Sequence, residues 1–466
     1  VGGVKSSEEQ WDIPDHWSWT TISQIGEVVS GGTPASKEPR YWGGDINWIS
    51  PADLTGYSEK FIRKGSKSIT REGLKNSSAK LMPAGSIHFS SRAPIGYVAI
   101  SAEPISTNQG FKSLIPVPEV FNEYVYYYLK GSKQLAERKA SGTTFLELSG
   151  KAFRLLPVPL PPLPEQKRIV TKIEELFSEL DNGIAALKIA REQLKVYRQV
   201  VLKHAFEGEL TAQWREDSGI DSRSWQEMTV GELAVLGPSN GRSVKDQPGG
   251  FPVLRLTALK DGKVDLSEFK EGAWTAEDAN AYIVNDGDFL FSRGNGSKHL
   301  VGRGGLVVEP IKKVAFPDTI MRVRLDSEKI VPEYFSWVWE SRLIRSQIEK
   351  SARTTAGIYK INQQHVKSFK LPVPPISEQK IIVSLVEGKL SVTDALLRET
   401  EMQLSKSETL RQSILRKAFS GKLVPQDPDD EPASELLDRI GAEEQNGKQT
   451  SRASAHRHGS GLRETT

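Results

Sequence analysis

The sequence predicts an α+β protein in which two β-rich α/β units are separated by two long coiled-coil helices, the whole forming an internal repeat with pseudo-two-fold character. Three observations carry this prediction. A proline-rich motif followed by a long helical run occurs twice, at Leu156–Lys167 and at Leu371–Lys380. Both runs carry the same heptad pattern. The stretches before them hold short apolar runs bounded by Gly, Pro, Asn and Ser, the signature of strands joined by turns.

The long runs come first because they fix the frame. Glu165-Gln166-Lys167 maps onto Glu378-Gln379-Lys380, and Ala205-Phe206-Glu207-Gly208 onto Ala418-Phe419-Ser420-Gly421, both at an offset of 213 residues with no gap between. In the first run one seam row reads Val170, Phe177, Ile184, Arg191, Arg198 and the other Ile173, Leu180, Leu187, Leu194, Val201. In the second the rows read Val383, Leu390, Leu397, Leu404, Arg411 and Val386, Thr393, Thr400, Ser407, Ile414. The second seam is the more polar; its hydroxyl row either softens the helix pair or faces a partner. Prolines precede each run, Ser377 suits an N-cap, and Gly208 and Gly421 stand where a left-handed residue ends a helix. At 1.5 Å per residue, some forty residues make a rod on the order of 60 Å long, so something is being spaced.

Ahead of each rod lies a globular unit. The first spans 17–160 and opens at Trp17; the second spans 225–373 and opens at Trp225. The rods then occupy 161–210 and 374–424, with a linker at 211–224 and a loose N-terminus at 1–16. Strands are expected at Ile46–Ile49, Ser86–Phe89, Tyr97–Ile100, Pro252–Leu256 and Gly287–Phe291, and helices at Tyr124–Lys139 and Tyr334–Lys350. Tyr126, Tyr127, Tyr128, Trp337 and Trp339, at helical spacing, read as core. The tail at 425–466 is rich in Pro and acid, then in Ser and Arg, and is expected to be disordered apart from a short helix at Ala433 to Ile440.

With 466 residues the chain exceeds one core, and with no cysteine it has no disulfide, thiol nucleophile or thiolate-bound metal. No apolar run reaches the roughly 18 residues of a membrane span, so a cytoplasmic protein is expected. A net charge of +3 is uninformative as a sum, but its distribution is not. The windows between Glu72 and Glu103, between Asp288 and Glu309, and from Lys350 to Ser377 hold no acid, and they recur at comparable places in the two halves. Gly85–Arg92 resembles Gly287–Arg293, and a hydroxyl-rich loop precedes each proline motif, at Ser141–Thr144 and Arg353–Gly357. Small hydroxyl residues beside cations suit phosphate oxygens.

No Walker A loop, dinucleotide fingerprint, His-Glu-x-x-His or nucleophile elbow is present. The seven histidines are scattered, and the Asp/Asn-Pro-Pro-Tyr/Phe segment of amino-methyltransferases is missing. Nothing here reads as catalytic or metal-binding.

Two variable units, each followed by Pro161-Pro-Leu-Pro-Glu-Gln-Lys167 or Pro374-Pro-Ile-Ser-Glu-Gln-Lys380 and a long helix ending in Ala205-Phe-Glu-Gly-Glu-Leu-Thr211, with Gln213-Trp-Arg215, or in Ala418-Phe-Ser-Gly-Lys-Leu423, resemble the specificity (S) subunit of type I restriction-modification systems. The resemblance covers residues 16 to 424. It implies that the units are target recognition domains, each reading half of a split double-stranded DNA site, and that the rods lie antiparallel and set the unread gap. It implies a non-catalytic subunit that docks two DNA methyltransferase (modification) subunits, which methylate adenine at N6, and restriction subunits. S-adenosylmethionine, ATP and Mg are then expected on those partners and none in this chain. Candidate DNA contacts are Arg92, Lys112, Thr143, Thr144, Arg293, Lys298, Thr354, Thr355 and Lys360. Candidate partner-docking residues are Glu165, Gln166, Lys167, Glu378, Gln379 and Lys380, which persist where the units differ. The alternative open at this point is a coiled-coil scaffold presenting two β-rich ligand-binding modules with no DNA role.

Overall fold

The computed structural model describes residues 11–142, 146–221, 224–260, 262–310, 312–355 and 357–443. The chain divides into two compact units, Val1–Ala185 with Leu404–Thr466, and Ala186–Gln403. The predicted rods are single α-helices of 44 residues each, Leu163–Phe206 and Ile376–Phe419. Each contributes one end to each unit.

In the first unit the core sheet has five strands in the order Gly26–Ser30, Phe111–Pro116, Ile87–Ser91, Ile95–Ser101 and Phe61–Ile62. A three-stranded sheet (Lys67–Ile69, Trp42–Ile49, Ile105–Thr107) accompanies it. In the second unit the core sheet has six strands, in the order Ala234–Asn240, Ile320–Leu325, Asp288–Ser292, Gly304–Leu306, Gly262–Val264 and Leu259–Lys260. All five expected strands lie within or overlap observed ones. The expected helices are each broken in two, at Asn122–Gly131 and Lys133–Lys139 and at Pro332–Glu340 and Arg342–Ser351. Tyr126, Tyr127, Tyr128 and Trp339 are buried, as core aromatics should be.

Each unit closes on itself through a two-stranded antiparallel ribbon joining its first strand to the proline strand just before a rod. Ser18–Thr21 pairs with Pro157–Leu160, and Gln226–Thr229 with Lys370–Val373. Prolines occupy these strands because a two-stranded ribbon leaves one edge where no backbone donor is required.

Within each unit the start of one rod packs on the end of the other, which makes the pair antiparallel in both. In the first unit Ile169, Val170 and Ile173 share a core with Ile414, Leu415, Ala418 and Phe419. In the second, Val201, Leu202, Ala205 and Phe206 share one with Ile382, Val386 and Leu390. Two of the three seam arginines are paired across the helices: Arg198 Nη1 lies 2.5 Å from Asp394 Oδ1, and Arg411 pairs with Asp181, whereas Arg191 pairs with Glu192 on its own helix. Both members of the second pair follow from the first by the same 213-residue offset, so the two units hold one register. The hydroxyl row faces neither solvent nor a partner. Thr393, Thr400 and Ser407 are buried, and the two threonines donate to the carbonyls of Lys389 and Leu396 one turn back.

The short helix expected at Ala433 to Ile440 is present, running through residue 443, and the disorder expected around it does not hold for residues 425–432. Ala433, Leu436 and Ile440 fall on one face of a helix and are buried in the first unit's core. The Ala433 N–H donates to the His16 carbonyl at 2.9 Å, and Arg168 Nη2 lies 2.6 Å from Asp430 Oδ2. The remainder of the tail and residues 1–10 lie outside the described residues.

One buried group makes the first unit sensitive to acid. His88, on Ile87–Ser91, is wholly buried; its Nδ1 lies 2.9 Å from Ser113 Oγ, and its Nε2 meets no hydrogen-bond partner. Burial pushes its pKa down to about 3. The unfolded chain takes up this proton near the ordinary value of about 6.5, so stability is full above that pH and falls as pH drops from there toward 3, by roughly 1.4 kcal/mol per pH unit. Leu290 holds the equivalent place in the second unit, flanked by Gly305 and Arg322 as His88 is by Ala99 and Ser113. Urea denaturation of the chain and of His88→Leu should therefore diverge by about 2 kcal/mol between pH 6.5 and 5, the variant being the less pH-dependent.

Candidate nucleic-acid interface

The repeated Glu-Gln pair is a set of internal latches, which corrects its expected docking role. Glu165, Gln166, Glu378 and Gln379 are all fully buried; only Lys167 and Lys380 are exposed. Glu165 Oε2 accepts from the Trp17 indole N–H at 2.9 Å and lies 2.9 Å from His16 Nε2. Glu378 Oε2 accepts from the Trp225 indole N–H at 2.9 Å, while its Oε1 accepts from Thr211 at 2.6 Å and Arg215 at 2.5 Å. The tryptophan that opens each unit is thus tied to the first turn of the rod that follows it. Gln166 accepts from the Phe121 N–H (2.8 Å) and donates to the Pro161 carbonyl (3.0 Å). Gln379 does the same with Val331 (2.7 Å) and Pro374 (2.8 Å). These side chains are spent inside the chain, and the reason is electrostatic: a buried carboxylate or amide is tolerated only with its partners supplied.

The latches differ in one respect. Glu378 has a permanent cation in Arg215; Glu165 has an imidazole, and its Oε1 has no hydrogen-bond partner among the described residues.

The basic loops come together best in the second unit. Strand Gly294–Asn295 continues from Arg293 and pairs with Ile358–Lys360, which pairs in turn with Arg353–Thr355. Lys360 stands opposite both Gly294 and Arg353, and Thr354 opposite Tyr359. Lys298 begins a short 3-10 turn three residues beyond Asn295. Lys298, Thr354 and Lys360 are exposed and Arg293 is half-buried. Arg293, Lys298, Arg353 and Lys360 form no ion pair among the described residues. The backbone of Thr355 belongs to this ribbon.

The first unit has the same frame with different charge. Glu147 bridges to Arg92 and to Ser141, as Lys360 does to Gly294 and Arg353. The ungapped offset of 213 therefore reaches back to Glu147 and Lys360, and it passes through Ser149 and Asn362, each of which caps a short helix. Two expectations change. Arg92 corresponds to Gly294 rather than to Arg293, because the Ser91 carbonyl accepts from Leu148 as the Arg293 carbonyl does from Ile361. Lys112 is no free phosphate contact: it is buried, its Nζ donates to the Gln109 carbonyl at 3.2 Å and lies 3.6 Å from Glu147, and burial pushes its pKa down. Arg92 lies 3.7 Å from the same carboxylate. Thr143 and Thr144 lie outside the described residues, as does the Thr355 side chain.

Sequence reasoning missed His16, whose only signal is that it precedes Trp17, and it read Thr211 and Arg215 as marks of the motif that ends the first rod, not as partners of Glu378. Pairing with a carboxylate more than 140 residues away is decided by folding. Among the described residues no cluster of His, Cys, Asp or Glu could hold a metal, and no helix is long and apolar enough to cross a membrane.

Removing Arg215 or His16 tests each latch by itself. Arg215→Ala leaves the Glu378 carboxylate buried without its cation and should cost about 3–5 kcal/mol; His16→Ala removes one hydrogen bond to a buried charge and should cost about 1.5–3 kcal/mol. Amide exchange should rise in Gln226–Thr229 for the first variant and in Ser18–Thr21 for the second. Both ribbons loosening equally in either variant would count against unit-specific latches.

Comparison with known proteins places this geometry. Residues 14–188 and 222–404 match the family of the type I restriction modification DNA specificity domain. The chain is 29% identical over 427 residues to the type I restriction enzyme MjaIX specificity subunit of Methanocaldococcus jannaschii, covering 88% of this chain and 94% of that one. It is 28% identical over 470 residues to the EcoKI specificity subunit of Escherichia coli K12, covering 94% and 98%. Among solved structures, the HsdS subunit from Thermoanaerobacter tengcongensis superposes with a TM-score of 0.53 at 18% identity, over 89% of this chain and 99% of that one. A chain from a study of complex assembly in the type I R-M system superposes with a TM-score of 0.69 at 18% identity, over 89% and 100%.

Proposed function

Since the chain belongs to the type I restriction modification DNA specificity family, we propose that it reads a bipartite double-stranded DNA target, one half through each β-rich unit, and docks two adenine-N6 methyltransferase subunits and restriction subunits. Catalysis, with S-adenosylmethionine, ATP and Mg, belongs to those partners. The observation that carries the reading is the pairing of one repeated frame with two different sets of exposed charge: a Trp–Glu latch and a closing ribbon in both units, but Lys360 in one where Glu147 stands in the other. Two readers of different half-sites need that combination. The scaffold alternative loses its ground with family membership.

The latches move the docking surface off the Glu-Gln pairs and onto the outer faces of the rods. There Ile189, Val196 and Val200 of the first rod and Leu385, Val392 and Leu396 of the second are exposed although apolar. Single exposed apolar residues are ordinary, but a row at helical spacing suits a partner's helix.

Phosphate contact is assigned to the second unit's ribbon. Lys360→Ala should weaken binding to all duplex sequences and lower the slope of log K against log salt by roughly one. Lys112→Ala, already held by Glu147, should leave the slope unchanged. Fluorescence titration of a labelled duplex at several salt concentrations reads both, and DNA affinity independent of salt would overturn the reading.

The rods act as a ruler. The paired positions 198 with 394 and 181 with 411 put residue 190 level with residue 402. Inserting four residues after Ala190 and four after Gln403 lengthens both rods by about 6 Å, close to two base pairs at roughly 3.4 Å each. Four residues are also what a heptad absorbs as a stutter. Mapping methylated adenines in cells carrying the variant should show both half-sequences unchanged and an unread gap one or two base pairs longer. A functional variant with an unaltered gap would leave the rods with docking alone.

A further inference from the structure

The internal repeat exposes a place where the two units differ by a missing cation. In the first unit the Lys60 ammonium sits between the carboxylates of Glu123 and Glu174, pairing with both, and lies 5.9 Å from the Tyr127 ring centre. The Tyr127 hydroxyl donates to Glu174 at 3.2 Å. Together these side chains seal the unit's sheet against the rod.

Every counterpart in the second unit can be placed by register. Glu174 lies 213 residues before Glu387, and Glu123 and Tyr127 lie 210 before Glu333 and Trp337, the spacing that also separates Tyr124 from Tyr334. The hydroxyls of those two tyrosines donate to equivalent carbonyls, of Pro159 and Pro372. Phe61 stands beside Ile100 as Lys263 stands beside Leu306, so Lys60 corresponds to Gly262. The lysine is gone. So is the tyrosine hydroxyl, replaced by an indole. Glu387 forms no ion pair or hydrogen bond among the described residues.

In place of that lysine there is a cleft of about 800 Å³ whose lining includes Gly262, Trp337 and Glu387. A side chain at Gly262 would be strained. Its φ is +74°, and a Cβ there would lie 2.2 Å from Glu340 Oε1. One cation of the lining is already committed: Arg198 is 2.7 Å from Glu340 and 2.5 Å from Asp394, with its guanidinium 5.4 Å from the Trp337 ring centre. Lys263, also in the lining, makes no ion pair with Glu387. Along the second rod the lining continues from Glu387 to Arg398, eleven residues or about 16 Å further on, and Arg398 too forms no ion pair among the described residues.

We infer that this cleft in the second unit docks a segment of a modification subunit, which places a basic side chain against Glu387 and Trp337 and an acidic side chain about 16 Å away against Arg398. The inference rests on the proposed function and deepens it, because it makes the two docking sites chemically unequal. The first unit supplies its own lysine at this position; the second receives one. A carboxylate that shares a cleft with an indole and has no internal cation suits such a side chain once water is excluded. Arg303, in the same lining and unpaired, adds to the attraction for acid.

The test uses the full chain with the modification subunit of its own system, counting bound subunits by native mass spectrometry and measuring affinities by calorimetry. Glu387 and Arg398 are exposed on the rod, so charge reversal leaves the core intact. Glu387→Lys should weaken one of the two sites by roughly tenfold or more and spare the other, and Arg398→Glu should weaken the same site. Two sites that both survive these substitutions, or that weaken together, would overturn the inference and leave the proposed function standing. Failure of any modification subunit to bind would take down both. A self-association that Glu387→Lys abolishes, or a DNA affinity that it raises with docking unchanged, would assign the cleft to a second copy or to nucleic acid and equally overturn the inference.

Discussion

Everything in this molecule hangs on two buried carboxylates. Glu165 and Glu378 lie in the first turn of the rods, where the positive end of the helix dipole favours a negative charge. That alone does not offset removal from water, which costs several kcal/mol per ion. Each therefore needs the indole N–H of a tryptophan that precedes it by about 150 residues. Satisfying the carboxylate brings the first strand of a unit beside the proline strand that ends it, and both onto the root of a rod. One electrostatic requirement thus closes the unit and fixes where the rod leaves it.

Because the latch is a backbone-framing device, side chains outside it are free to diverge, and they do so in charge more than in shape. Lys360 stands for Glu147, Gly262 for Lys60, Leu290 for His88, and the permanent cation Arg215 does for Glu378 what His16 does for Glu165. The strands, the capped turns and the buried tyrosine hydroxyls coincide around these differences. Where a desolvated polar group recurs, as in the hydroxyls of Tyr124 and Tyr334, its partner recurs with it, since such a group left unpaired costs more than an exposed substitution does.

The rods show the same economy. Their seam is not uniformly apolar: Arg198 and Arg411 cross to Asp394 and Asp181, and a hydroxyl row runs down the second helix. A seam of leucines alone would tolerate slippage by a heptad, whereas paired charges at two related positions accept one alignment.

By itself the sequence determined the repeat, the rods and the β-rich character of the units, because periodicity and gapless spacing are local properties that survive without a fold. It also located the acid-free loops, and in the second unit Arg293, Thr354 and Lys360 do meet on one ribbon. Tertiary structure alone decided what those residues face. Lys112 looks as free as Lys360 until Glu147 and the Gln109 carbonyl are brought against it. Arg92 matches Arg293 in the sequence and stands one residue out of step in the ladder, which only strand pairing reveals. The recurrent Glu-Gln pair read as a partner surface because recurrence does not say whether a residue is kept for contact outside or satisfaction inside. Burial makes that choice, and burial depends on residues more than a hundred positions away.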